Sequence, residues 1–169
     1  ANELKYKIYQ MFILGLDGEE LSENPNLVNA LENNLGGVIF FTQNIKTKNQ
    51  FKTLIKDIKN KAKTQPFLSI DQEGGRVERT ENIHGGKKYL SGSKFGSKCG
   101  SDFLKKQTNE IACELKDFGI NLNFAPCVDV NTNPDNPIIG ERAFSDNTDE
   151  VIKFGKIVAQ EYLKNRIIP

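Results

Sequence analysis

The chain has no tryptophan, one histidine, one methionine and three cysteines in 169 residues. With His84 as its one histidine, it argues against both a zinc site and a Ser-His-Asp triad built inside it. Cys99, Cys113 and Cys127 are odd in number and widely spaced. They make neither a metal-ligand spacing nor a disulfide framework, which favours a reducing compartment. Charge imbalance is absent too: 23 basic and 22 acidic side chains leave a net +1. That balance supplies no electrostatic case for nucleic acid or an anionic membrane as partner. No apolar run approaches a bilayer span. Lys5 and Lys7 interrupt the early apolar residues, so no signal-peptide pattern opens the chain. It begins on Ala1 rather than Met, which is compatible with a leader or tag removed upstream.

What is present alternates between apolar runs and helix-period segments. The length suggests one domain with a sizeable core. "MFILGL" reads as a buried strand, "GVIFF" as a second and "PFLSI" as a third. "INLNFAPCVDV" reads as a fourth that bends or finishes near Pro126. Between them lie helical patterns. Leu27, Ala30, Leu31 and Leu35 share a face, with Gly36 as the expected stop. Thr47 and Gln50 form a capping box for a helix with Phe51, Leu54, Ile55, Ile58 and Ala62 inward. Ser101 is expected to cap a helix through Leu104, Ile111, Leu115 and Phe118 that ends at Gly119. Thr148 introduces a last helix, with Asp149 and Glu150 at the positive end of its dipole. Its expected apolar face is Val151, Ile152, Phe154, Val158, Ala159, Tyr162 and Leu163. Residues 81–100 read as a long surface loop in which His84 is solvated. "RIIP" reads as the beginning of another strand.

Four strand-helix units in register predict a parallel sheet, because parallel neighbours need crossover helices. An open doubly wound sheet and a (β/α)8 barrel both satisfy this. No Gly-x-Gly-x-x-Gly follows the first strand, which disfavours a dinucleotide fold. A full barrel needs about 250 residues, so this chain would supply roughly half of one.

Polar residues gather where each strand ends, the end at which both architectures place their sites. Asp17 follows the first strand and Thr42, Gln43 and Asn44 the second. Asp71 to Glu73 follow the third, and Asp129 closes the fourth. In "LSIDQEGGRVER", Asp71 and Glu73 are two apart, so an extended backbone points both to one side. Gly74 and Gly75 allow positive φ or close approach. Arg76 and Arg79 offer planar donor forks suited to carboxylates or sugar hydroxyls. A structural alternative stands beside this: either acid could pair with Arg76 or Arg79 simply to tie down a loop. Glu141 and Arg142 in "NPDNPIIGERAF" read, taken alone, as a structural ion pair. The lysine-rich stretch "KTLIKDIKNKAK" reads as an exposed helix face rather than a nucleic-acid patch.

Together, "LGGVIFFTQNI", "LSIDQEGGRVER", "GINLNFAPCVDV" and "IIGERAFSD" resemble glycoside hydrolase family 3, in its bacterial β-N-acetylhexosaminidase branch. The resemblance covers essentially the whole chain. It implies a (β/α)8 TIM-type barrel, of which residues 1–169 are the N-terminal part of a single domain. It implies removal of terminal N-acetyl-β-D-glucosamine from muropeptides of peptidoglycan recycling, without a cofactor or metal, in the cytoplasm. It assigns Asp71, Arg79 and Arg142 to the sugar, with Glu73, Arg76 and Glu141 as supports behind them.

The resemblance also implies what this chain lacks. Family members continue, near where this sequence stops, with a segment carrying a His acid/base held by an Asp, and a later strand brings an Asp nucleophile. Those groups run a retaining mechanism through a covalent glycosyl-enzyme. No catalytic residue is therefore expected within 1–169. That fragment is expected to be inactive, and to aggregate or seek the other half of the barrel through its unpaired edges. The alternatives are a non-catalytic sugar-binding module, a family 3 β-glucosidase, or an enzyme complete as it stands. The last would use Asp71 or Glu73 with Glu141 or Asp129 as a carboxylate pair.

Overall fold

The computed structural model describes residues 2–96 and 100–169. Cys99 lies outside them, as does part of the predicted loop. In chain order the elements are α1 (Asn2–Gln10), β1 (Ile13–Leu14), α2 (Pro25–Glu32), β2 (Gly37–Phe40), α3 (Lys48–Lys61) and β3 (Phe67–Ile70). There follow α4 (Glu81–His84), α5 (Gly92–Lys94), α6 (Gly100–Phe118), β4 (Leu122–Asn123) and α7 (Thr148–Lys164). The strands form one parallel sheet in the order β1-β2-β3-β4. Sequential parallel neighbours joined by crossover helices are consecutive units of a (β/α)8 barrel. Ile168 pairs in parallel with Leu122, so the predicted fifth strand does begin at the chain's last residues.

The helix stripes form as the spacing predicts, with differences at their ends. In α3, Phe51, Leu54, Ile55 and Ile58 are buried. Thr47 accepts from the Gln50 amide at 3.2 Å, but the Gln50 side chain accepts from Lys46 N at 2.9 Å instead of from Thr47. Its Nε2 donates to the carbonyls of Glu19 and Asn44, so the expected capping box becomes a clamp on the neighbouring loops. Helix α2 stops at Asn33 and Asn34, not at Gly36. Asn34 takes the left-handed conformation (φ 68°), and Leu35 N closes on Ala30 O at 3.0 Å. Gly36 is needed for another reason: a Cβ there would run into the Gln10 carbonyl. Gly119 ends α6 at φ 95° as predicted, while Ser101 stands inside that helix rather than capping it. For α7 the cap is Asn147, whose side chain accepts from the amides of Asp149 and Glu150. Val151, Phe154, Val158 and Tyr162 form its buried stripe; Ile152 and Leu163 fall off it and are exposed.

Three further expectations are corrected. Strand β1 is not buried: Met11 is 82% exposed, and Phe12, Ile13 and Leu14 are exposed as well. It is an edge strand with a partner on one side only. Helix α1, which no pattern announced, buries none of its residues. The 81–100 segment is not a free surface loop: Tyr89, Ser91 and Phe95 are buried, and backbone groups at 88–90 are bound by the side chains of Glu78 and Gln107. Side-chain carbonyls and carboxylates supply there what hydrophobic periodicity does not. His84 is paired, not solvated: its Nε2 lies 2.9 Å from Glu114, with the imidazole edge-on to Tyr89.

Candidate functional site

The site is built where β3 ends. Alternation along the extended backbone sends Asp71 and Glu73 one way and Gln72 the other. Gln72 is fully buried. Its backbone N–H donates to Asn123 Oδ1 at 2.9 Å, and Asn123 Nδ2 returns a bond to its carbonyl at 3.0 Å. Gln72 Oε1 accepts from Arg79 N at 2.7 Å, and its Nε2 donates to Thr80 Oγ1 at 2.9 Å. The Asn123 side chain thus ties the tip of β3 to β4, and the Gln72 side chain ties it to the returning limb of the loop.

That loop turns at Gly74 and Gly75, with φ of 105° and 60°. The amides of Glu73 and Gly74 both donate to Val77 O. A Cβ at Gly74 would meet the Leu90 carbonyl, and one at Gly75 would crowd Ser91. Both glycines therefore serve conformation and close approach at once. Glu78, also fully buried, accepts from the amides of Lys88 and Tyr89 and locks the next segment beneath the turn.

Two ion pairs stand at the mouth of this scaffold. Arg79 Nη2 reaches Asp71 Oδ2 at 3.3 Å, each side chain being a quarter exposed. Asp71 Oδ1 has no bond from a described residue, and Arg79 Nε is buried without a partner among them. Arg142 holds Glu73 with two bonds, Nη2–Oε1 at 2.7 Å and Nε–Oε2 at 3.0 Å, and donates from Nη1 to Ile138 O at 3.3 Å. The hydrogen bond to Glu73 pushes the Arg142 pKa still higher, so it is a permanent cation. An arginine carries five N–H groups, and among the described residues about two of this one's are unengaged. Beside it Cys127 Sγ donates to Asp129 at 3.2 Å, and burial pushes the thiol pKa up.

The predicted site residues therefore meet in two pairs. Asp71 joins Arg79, and Glu73 joins Arg142, which reaches across 69 positions of sequence rather than to the adjacent Glu141. Among the described residues Arg76 has no acidic partner; it donates to the carbonyls of Pro137, Ile138 and Ile139 and straps the β3 loop to the loop before α7. Glu141 is exposed, and among the described residues its side chain accepts one long hydrogen bond, 3.4 Å, from Ser91 Oγ. Of the other strand-end residues, Asn44 is structural: fully buried, it accepts from Phe41 N and donates to Leu16 O and Gly18 O. Sequence reasoning missed Gln72, Glu78 and Asn123. The signal available was a polar residue set inside an apolar run, as in "NLNF", which indicates a buried group with assigned partners.

Among the described residues no cluster of three or more His, Cys, Asp or Glu side chains could hold a metal ion. The arrangement offers acceptors and charged donors side by side, the chemistry that grips a polyhydroxylated ligand.

The model of the glycosyl hydrolase family 3 N-terminal domain matches residues 3–167. Over 129 residues the chain is 38% identical to the β-hexosaminidase A of Pseudoalteromonas piscicida, covering 72% of this chain and 21% of that protein. Over 151 residues it is 33% identical to the β-hexosaminidase of Photobacterium profundum, covering 89% and 41%. A family 3 β-N-acetylglucosaminidase from Paenibacillus sp. str. FPU-7 superposes with a TM-score of 0.88 at 29% identity, over 97% of this chain and 31% of that one. NagZ from Neisseria gonorrhoeae, in complex with N-trifluoroacetyl-D-glucosamine, does so with a TM-score of 0.77 at 26% identity, over 90% and 46%. The chain spans less than half the length of these curated relatives and solved structures. Family motifs, matched domain and parallel half-barrel agree: the chain belongs to glycosyl hydrolase family 3, through that family's N-terminal barrel domain.

Proposed function

We propose that these residues form the sugar-gripping wall of a β-N-acetylhexosaminidase that removes terminal N-acetyl-β-D-glucosamine, with muropeptides as the natural class of substrate. The observation that carries the reading is the pair of half-used arginines at the strand tips, with Asp71 keeping one oxygen unengaged beside them. Asp71 accepts from hydroxyls of the non-reducing-end sugar, and Arg79 and Arg142 donate to them. Glu73 holds Arg142 in place, Arg76 braces the loop, and Glu141 borders it. The acid/base and the nucleophile come from sequence beyond residue 169 within the same barrel, so the isolated fragment turns over nothing. The β-hexosaminidases among the relatives and the N-acetylglucosamine analogue bound to a structural neighbour support this choice of sugar. Two free thiols, Cys113 and Cys127, support a reducing compartment, the cytoplasm.

The test uses the full-length protein and a chromogenic N-acetyl-β-glucosaminide. A charged donor to a sugar hydroxyl is worth about 1.5–3 kcal/mol, so Arg142→Ala is expected to lower kcat/KM by roughly 10- to 150-fold, mainly through KM. An unchanged kcat/KM retires Arg142 as a sugar ligand. Faster hydrolysis of the matching β-glucoside would instead favour a β-glucosidase.

A further inference from the structure

Consecutive phenylalanines at the end of β2 have different fates. Phe40 is fully buried and packs edge-on against Phe51 of α3, 5.0 Å between centroids. Phe41, one residue past the strand, turns the other way and is only half-buried. Its amide is held by Asn44 Oδ1 at 2.9 Å, which fixes the backbone from which the ring projects. Over that ring lies the guanidinium of Arg79, with Cζ 5.4 Å from the centroid.

Arg79 needs such a support. Among the described residues its one side-chain hydrogen bond is the 3.3 Å contact to Asp71, and its Nε has no partner. A single long bond does not fix a side chain with four rotatable torsions. An aromatic face does so without consuming N–H groups, because it attracts the cation through its π-cloud and leaves the donors at the guanidinium edge free.

We infer that Phe41 is a positioning residue of the saccharide site: its ring is the shelf that orients Arg79, so that the guanidinium edge points donors at a sugar hydroxyl while still touching Asp71. This deepens the proposed function and rests on it. The ring acts through Arg79 and not on the sugar.

The experiment measures the affinity of the full-length protein for N-acetylglucosamine by calorimetric titration. Phe41→Leu is expected to raise Kd roughly 3- to 10-fold. In an Arg79→Ala background the same change is expected to add nothing, because the shelf then has nothing to hold. Should Phe41→Leu fold poorly in a thermal melt, an isosteric series replaces it. Phenylalanine at 41 is exchanged for its mono-, di- and trifluorinated analogues, which keep the shape and progressively drain the π-face. Kd is expected to rise stepwise along that series. A Kd raised by Arg79→Ala but flat along the series overturns the role of Phe41 alone. A Kd indifferent to Arg79→Ala, or no binding at all, overturns the saccharide site together with it.

Discussion

The tip of β3 and the run that leads into β1 are made of similar material and have opposite environments. "PFLSI" and "MFILGL" are both apolar strand sequences. Ile70 and Leu68 are fully buried, whereas Met11 and its neighbours lie in the open. The difference is in the neighbours. β3 has β2 on one side and β4 on the other, and its tip is bolted by Gln72 and Asn123. β1 has β2 alone, and α1 covers none of it with a buried side chain. Hydrophobicity nominates a strand; burial is decided by what the rest of the barrel brings to it.

The largest effect that could break this comparison is in the core. In the full-length protein Phe40→Ala should cost about 3–5 kcal/mol in urea unfolding, and Phe12→Ala should approach that cost as the closed barrel covers β1. A Phe12→Ala cost within about 1 kcal/mol there would mean that β1 stays exposed in the whole barrel.

The polar bolt comes next. Asn123→Ala leaves a buried N–H and a buried C=O of Gln72 unpaired, a loss of about 2–4 kcal/mol at denaturation. No polar group near β1 should match it. Glu73→Gln follows, at about 1.5–3 kcal/mol, since a two-point ion pair becomes at best a one-point bond to a neutral acceptor and the Arg142 charge is left uncompensated. The smallest effect is in alkali. Burial pushes the hydroxyl pKa values of Tyr162 and Tyr89 well above their ordinary 10.0. The unfolded chain then binds fewer protons above pH 10, so stability is complete below that pH and falls as pH rises. The expected loss for Tyr162 is about 1 kcal/mol at pH 11. Tyr162→Phe should remove that share of the slope, and a slope it leaves unaltered would contradict the assignment.

Much of this arrangement was legible in the sequence, for identifiable reasons. Strand type and order follow from apolar runs separated by 3.6-period helices, and Leu104, Ile111, Leu115 and Phe118 face the core as their spacing says. The pairing of Asp71 with Arg79 was open to inference because both lie in one short loop. The pairing of Glu73 with Arg142 was not, because it spans 69 positions and depends on how the loop before α7 folds back. The exposure of β1 was illegible too, since a sequence pattern records a strand's own residues and not its missing neighbour. His84 misled through context: its glycine- and lysine-rich surroundings suggested solvent, yet Glu114 on α6 holds it.

The central claim is that the strand tips form the wall that holds a terminal N-acetylglucosamine. A crystal structure of the full-length protein with that sugar bound tests it most directly. The account predicts sugar hydroxyls within hydrogen-bond distance of the Asp71 carboxylate and of donors from Arg79 and Arg142. A sugar bound elsewhere, with those three side chains engaged only with each other and with Glu73, would contradict it.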